Sequence, residues 1–173
     1  TSRRQRQMCI RDRERSWVTH MKKNILVVDD SALMRRVMCD IINSDSKFQA
    51  TDYCRDGLEA YEKLKHTSYD GVVLDVNMPR MDGLQLLEKL QKEGIRANVV
   101  MVSTLTDSRE ADVTILAMER GAIDFVAKPT NIIEAKGEAF KRQLLGILNA
   151  VLATQKTAGG ILSLIHISEP TRP

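Results

Sequence analysis

Between Met21 and Ile161, short runs of β-branched and other apolar residues alternate with segments whose apolar residues recur every three or four positions. The first run, Ile25-Leu26-Val27-Val28, has no polar position and ends in Asp29-Asp30, as expected for a strand buried on both faces. A helix is predicted directly after it. Ser31 is a suitable N-cap, and Leu33, Met34, Val37, Met38, Ile41 and Ile42 fall on one apolar stripe. The same pattern predicts strands at Phe48 to Tyr53, Gly71 to Leu74, Val99 to Val102 and Ile123 to Val126. It predicts helices at Leu58 to Leu64, Leu84 to Leu90, Ala111 to Met118, and from Ile132 onward, mainly Glu134 to Leu152. Gly83 and Gly94 bracket the third helix, Gly121 stops the fourth, and Asp107 or Ser108 is placed to cap the fourth helix's start. Five βα units in succession predict an α/β fold, a parallel sheet with helices on both faces.

Composition adds mainly exclusions. No apolar run approaches the roughly 18 to 20 residues of a membrane-spanning helix, so membrane insertion is not expected. The three cysteines form no C-x-x-C and no signal-peptide core precedes them, which points to reduced thiols and a cytoplasmic setting. Cys39 and Cys54 are expected as small core fillers, and His66, near the end of the second helix, is given no chemical role. The net charge of +3 is carried by one end. Residues 1–20 hold six arginines against Asp12 and Glu14, whereas residues 21–161 have 19 basic and 20 acidic residues.

That arginine-rich start could be read as a nucleic-acid arm. It instead resembles, over Arg3 to Asp12, the translation of a transposase-type sequencing adapter, and Leu162 to Arg172 resembles the translation of the partner adapter. Residues 1–20 and 162–173 are therefore expected to be a non-native leader and tail and are set aside from fold reasoning, Trp17 included. Residues 21–152 are expected to form the domain. The stretch 153–161, small, polar and without pattern, is expected to begin an interdomain linker.

In an open parallel sheet, ligands bind beyond the carboxyl ends of the strands. The residues at those ends are Asp29 and Asp30 after the first strand, Asp75 at the third, Ser103 and Thr104 at the fourth, and Lys128-Pro129 after the fifth. Three carboxylates on one rim repel one another unless a hard, oxygen-seeking dication sits among them, and Mg²⁺ is the natural candidate. A lysine beside them supplies a point charge for an anion. Together the parts describe a carboxylate that accepts a phosphoryl group: Asp75 as nucleophile, with Lys128 and Ser103 receiving phosphate oxygens.

The residues Val28-Asp29-Asp30-Ser31, the stretch from Leu74 to Gly83 (LDVNMPRMDG), Ser103-Thr104 and Lys128-Pro129 resemble those of a response-regulator receiver domain. More narrowly, Asp30 to Arg35, Val100 to Thr106 and Arg120 to Pro129 are similar to the receiver of the chemotaxis protein-glutamate methylesterase (CheB) family. The resemblance implies a flavodoxin-like (βα)5 sheet in the order 2-1-3-4-5. It implies that Asp75 is phosphorylated by a CheA-type histidine kinase. Asp30, Asp75 and the main-chain carbonyl of Asn77 would be the direct Mg²⁺ ligands, with Asp29 assisting through water. It also implies a cis bond into Pro129 and a switch in which Ser103 closes over the phosphoryl group while Phe125 changes rotamer. Ser103 stands where many receivers have Thr, and Phe125 where many have Tyr.

In that family a linker leads to a serine hydrolase domain that demethylates and deamidates chemoreceptors. No Gly-x-Ser nucleophile turn or suitably placed histidine occurs before Ile161, so this chain is not expected to be a methylesterase by itself. Other readings are a stand-alone receiver, the receiver of a transcription regulator, and a Mg²⁺-dependent phosphatase working through an aspartyl phosphate. The phosphatase needs a general acid two residues beyond its nucleophile, where this chain has Asn77. No nucleic-acid partner is expected.

Overall fold

A computed structural model describes residues 21–104 and 110–167. Five strands form one parallel sheet: β1 (Lys23–Val28), β2 (Phe48–Cys54), β3 (Gly71–Asp75), β4 (Val99–Ser103) and β5 (Ala122–Ala127), in the spatial order β2-β1-β3-β4-β5. Between and after them lie α1 (Ala32–Ser44), α2 (Gly57–His66), α3 (Gly83–Lys92), α4 (Glu110–Glu119), α5 (Ile132–Ala135) and α6 (Glu138–Ile167). Each strand and helix predicted from periodicity is present, with ends moved by a few residues except after Ile132.

Strand side chains alternate between the two faces, and both faces are buried. Ile25, Val27, Val73, Val100 and Val102 point to one layer, packed with Met34, Val37, Met38, Ile41 and Ile42 of α1 and Phe140, Leu144 and Leu148 of α6. Leu26, Val28, Val72, Leu74, Val99 and Met101 point to the other, with Ala60 and Leu64 of α2, Leu86, Leu87 and Leu90 of α3 and Ala117 of α4. Burial on both sides is why these strands read as unbroken apolar runs. Leu33, expected on the α1 stripe, is 52% exposed, because it lies at the stripe's edge beside the open end of the sheet.

The helix starts follow their capping chemistry. Ser31 Oγ accepts from Met34 N, Asp56 accepts from Glu59 N, and Asp82 and Gln85 form a reciprocal capping box at α3. Gly94 and Gly121, expected as stops, have φ of 68° and 99°. Asp107 and Ser108 lie outside the described residues.

Two boundaries differ from expectation. The helix expected as one piece after Ile132 is two, because Asn131 caps a single turn that ends at Lys136-Gly137 before α6 begins at Glu138. Glycine is a weak point in a helix interior, and the chain turns there. The helix expected to end at Leu152 runs on through 153–161 to Ile167. Among the described residues no helix is long and apolar enough to cross a membrane.

Candidate phosphoacceptor site

Strand register alone gathers the site. Val28 pairs with Leu74, so Asp29 emerges alongside Asp75. Asp75 pairs with Val102 and Ser103 with Ala127, so Ser103 and Lys128 follow on the same rim. Two backbone bonds close the rim beyond the strand ends: Asp29 N donates to Cys54 O at 3.1 Å, and Lys128 N donates to Ser103 O at 2.7 Å.

Carboxylate oxygens of Asp29, Asp30 and Asp75 all lie within 4.8 Å of one another. Asp29 and Asp75 are buried and Asp30 is exposed. Lys128, whose side chain is 11% exposed, bridges the buried pair: its Nζ is 2.6 Å from Asp29 Oδ2 and donates to Asp75 Oδ2 at 3.2 Å. The other Asp29 oxygen accepts from Ser31 N at 2.8 Å. Among the described residues, Oδ2 of Asp29 is buried and has the ionic contact with the ammonium as its polar partner.

The electrostatic balance is unfavourable to Asp75. Burial, and then the neighbouring Asp29 charge, push its carboxyl up to about 6 despite the Lys128 ammonium. Burial likewise raises Asp29, with Lys128 and the Ser31 N–H only partly opposing it. Burial would lower Lys128, but Asp29 and Asp75 together raise it, so it stays charged. One ammonium thus serves two buried carboxylates, and a third sits beside them in the open. A hard dication fits this donor set: all-oxygen, clustered within a few ångströms, and short of positive charge.

Of the other residues singled out in the sequence, Ser103 is buried at the end of β4, with its carbonyl engaged by Lys128 N. Phe125 pairs with Met101 across the β4–β5 ladder and packs against the α2–α3–α4 layer. Ser103 and Phe125 fall on the same sheet face by strand alternation. Asn77 is exposed, two residues beyond Asp75 in the loop leading to α3. The bond into Pro129 is trans, not cis: no described residue follows a cis bond, and the backbone leaves β5 in register, with Lys128 N still hydrogen-bonded to Ser103 O.

Two arginines that lie within the motifs make contacts not expected from the sequence. Arg35, one turn into α1, reaches back along the helix and donates from Nη1 to the carbonyls of Asp29 at 2.7 Å and Asp30 at 3.2 Å, holding the acidic loop. Its position four residues after the N-cap was a usable signal. Arg80 pairs with Asp56 of the β2–α2 turn, a contact with no local signature. Two glycines were also underused. A Cβ at Gly83 would meet Asp75 O at 2.3 Å, and one at Gly57 would meet Met81 O at 2.6 Å. Both positions need glycine for close approach.

Comparison with known proteins places this geometry. Residues 25–137 match the family model for the response regulator receiver domain. The protein-glutamate methylesterase/protein-glutamine glutaminase of Pyrococcus horikoshii is 45% identical over 124 residues, covering 72% of this chain and 33% of that protein. Its Escherichia coli counterpart is 50% identical over 109 residues, covering 62% and 30%. The chain thus spans about a third of the length of these curated relatives. Among solved structures, the response regulator domain of Thermotoga maritima CheB is similar at 34% identity and a TM-score of 0.67, covering 77% of this chain and 98% of that one. A chain of the CheX–CheY–BeF3–Mg complex of Borrelia burgdorferi is similar at 28% identity and a TM-score of 0.65, covering 78% and 92%.

Proposed function

Because the chain belongs to the response regulator receiver family, as a receiver of the CheB-like type, we propose that it is switched by a phosphoryl group carried on Asp75. The observation that carries this reading is the buried pair Asp29 and Asp75 sharing one ammonium, with Asp30 beside them. A carboxylate of Asp75 attacks phosphorus, and the bond from phosphorus to the donor's leaving group breaks as the new P–O bond forms. Lys128 and the Ser103 hydroxyl then receive phosphoryl oxygens. In this proposal Asp30, Asp75 and the Asn77 carbonyl hold Mg²⁺ directly, with Asp29 acting through water. When bound, Mg²⁺ supplies the positive charge that offsets the crowded carboxylates and the incoming phosphate. Ser103 closing on the phosphoryl group, with Phe125 changing rotamer on the same sheet face, is the proposed route to the surface.

The same reading assigns residues 21–152 to the receiver and gives it a CheA-type histidine kinase as phosphodonor, in the cytoplasm. The relatives extend well beyond the matched third of their length, and we extend the proposal to an intact protein in which phosphorylation regulates a methylesterase domain acting on chemoreceptors. The test is labelling by acetyl phosphate, read by intact mass. Labelling is expected with Mg²⁺ and is expected to fall to background in Asp75→Asn or when EDTA removes the metal. Persistent labelling of Asp75→Asn would refute the assignment.

A further inference from the structure

The loop from Val76 to Asp82 is fixed at both ends and at its middle, and the middle tether is an arginine in an unusual backbone state. Arg80 has φ of 65°, the one non-glycine positive φ among the described residues. A side chain clashes with its own backbone in that region, so the surrounding structure must over-determine it. Arg80 Nε donates to Asp56 Oδ2 at 2.8 Å, and Nη2 contacts the same oxygen. Asp56 is 1% exposed, and its other oxygen accepts from Glu59 N at 3.0 Å as the N-cap of α2. One residue on, Met81 O accepts from Gly57 N at 3.0 Å. At the far end Gly83 N donates to Val76 O at 2.8 Å.

The loop's path, and with it the Asn77 carbonyl, is therefore set by attachment to α2 as well as to β3. Asp30 also faces this junction: it shares a cavity of about 460 Å³ with Arg55, Asp56, Pro79 and Arg80. We propose that Arg80 is a positioning residue for the cation site: its guanidinium, locked by Asp56, holds the loop in the shape that presents the Asn77 carbonyl toward Asp30 and Asp75. This rests on the reading of the site as a Mg²⁺-dependent phosphoacceptor. Arg80 touches neither metal nor phosphate; it acts through the loop.

The experiment titrates the full chain with MgCl₂ by calorimetry and measures the Mg²⁺ dependence of labelling by acetyl phosphate. Arg80→Ala and Arg80→Gly are each expected to weaken Mg²⁺ binding by about tenfold, the lower end of what outer supports of metal ligands contribute. The Mg²⁺ concentration for half-maximal labelling should rise by the same factor, while the rate at saturating Mg²⁺ stays within about twofold of wild type. Arg80→Gly is a useful companion because it removes the guanidinium with the rest of the side chain yet keeps the left-handed backbone free of steric cost. Asp56→Asn retains the helix cap and should reproduce the loss, and combining it with Arg80→Ala should weaken binding no further. Arg80→Lys, charged but without the planar fork, should fall between. A purely structural role would lower the urea midpoint and leave the Mg²⁺ affinity of the folded protein unchanged, and that result overturns the proposal. If wild type itself neither binds Mg²⁺ nor is labelled, the site reading fails and this proposal with it. If wild type does both and the Arg80 variants match its affinity, only the role of Arg80 is lost.

Discussion

Asp56 and Asp75 are both buried aspartates next to a cation, yet they are shifted in opposite directions. Burial pushes both up. At Asp56 the Glu59 N–H and the Arg80 guanidinium more than cancel that and hold the carboxyl below its ordinary value. At Asp75 the cation is shared with Asp29, whose own charge adds to the penalty. A buried carboxylate is thus comfortable when a backbone donor and a directly bonded guanidinium serve it, with the second carboxylate, Glu59, at the far reach of that cation. It is uncomfortable when a buried neighbour competes for the same ammonium. Asp56 is built as structure, while Asp75 is left short of charge compensation that an incoming cation can provide.

The largest effect should come from disturbing the comfortable partner. Asp56→Ala removes an N-cap and the hydrogen-bonded partner of Arg80, leaving only the longer contact to Glu59 at 4.0 Å, and a loss of about 2 to 3 kcal/mol is expected from urea unfolding at neutral pH. The uncomfortable partner should behave in the reverse sense. Without metal, Asp75→Asn is expected to stabilise the fold by about 1 to 3 kcal/mol at pH 8. The sign follows from the raised pKa. The folded state holds the Asp75 proton from about 4 up to about 6, so the Asp75 contribution to stability is full below pH 4 and is lost as pH rises through 6. The gain from Asp75→Asn should therefore vanish at pH 4. An equal gain at pH 4 and pH 8 would mean that the Asp75 charge is not its source.

Adding Mg²⁺ at ten times its dissociation constant should then stabilise wild type by about 1.4 kcal/mol and leave Asp75→Asn nearly unmoved. The smallest effect belongs to a third aspartate. Asp52, half exposed, is lowered by Lys63 at 2.7 Å and by the Tyr69 hydroxyl at 2.6 Å. Such a solvent-facing pair contributes little, and Asp52→Asn is expected to cost under about 1 kcal/mol, less still in high salt.

What could be read along the chain was whatever depends on local order. The unbroken apolar runs followed from burial on both sheet faces, and Asp29, Asp75, Ser103 and Lys128 could be placed on one rim because parallel strands end together. The short cap-bounded turn at α5 escaped notice because Ile132 and Ile133 continue an apparent helical pattern, although Ile133 is 81% exposed. The pairing of Arg80 with Asp56 was invisible for a different reason. Its partners are 24 residues apart, and a loop whose backbone turns left-handed at an arginine gives no compositional warning. Arg35 lay in plain view on a helix face, but its service to two main-chain oxygens requires coordinates to see.

The contact of Gly83 with the Asp75 carbonyl carries a mechanical consequence. With no room for even a methyl group between them, the third helix is seated hard on the backbone of Asp75 and cannot slide along its strand without dragging that residue too. The fourth helix is anchored far more loosely, since Ala117 is its one buried residue between 111 and 119. The rim is therefore bounded by a rigidly seated helix on one side and a lightly buried one on the other.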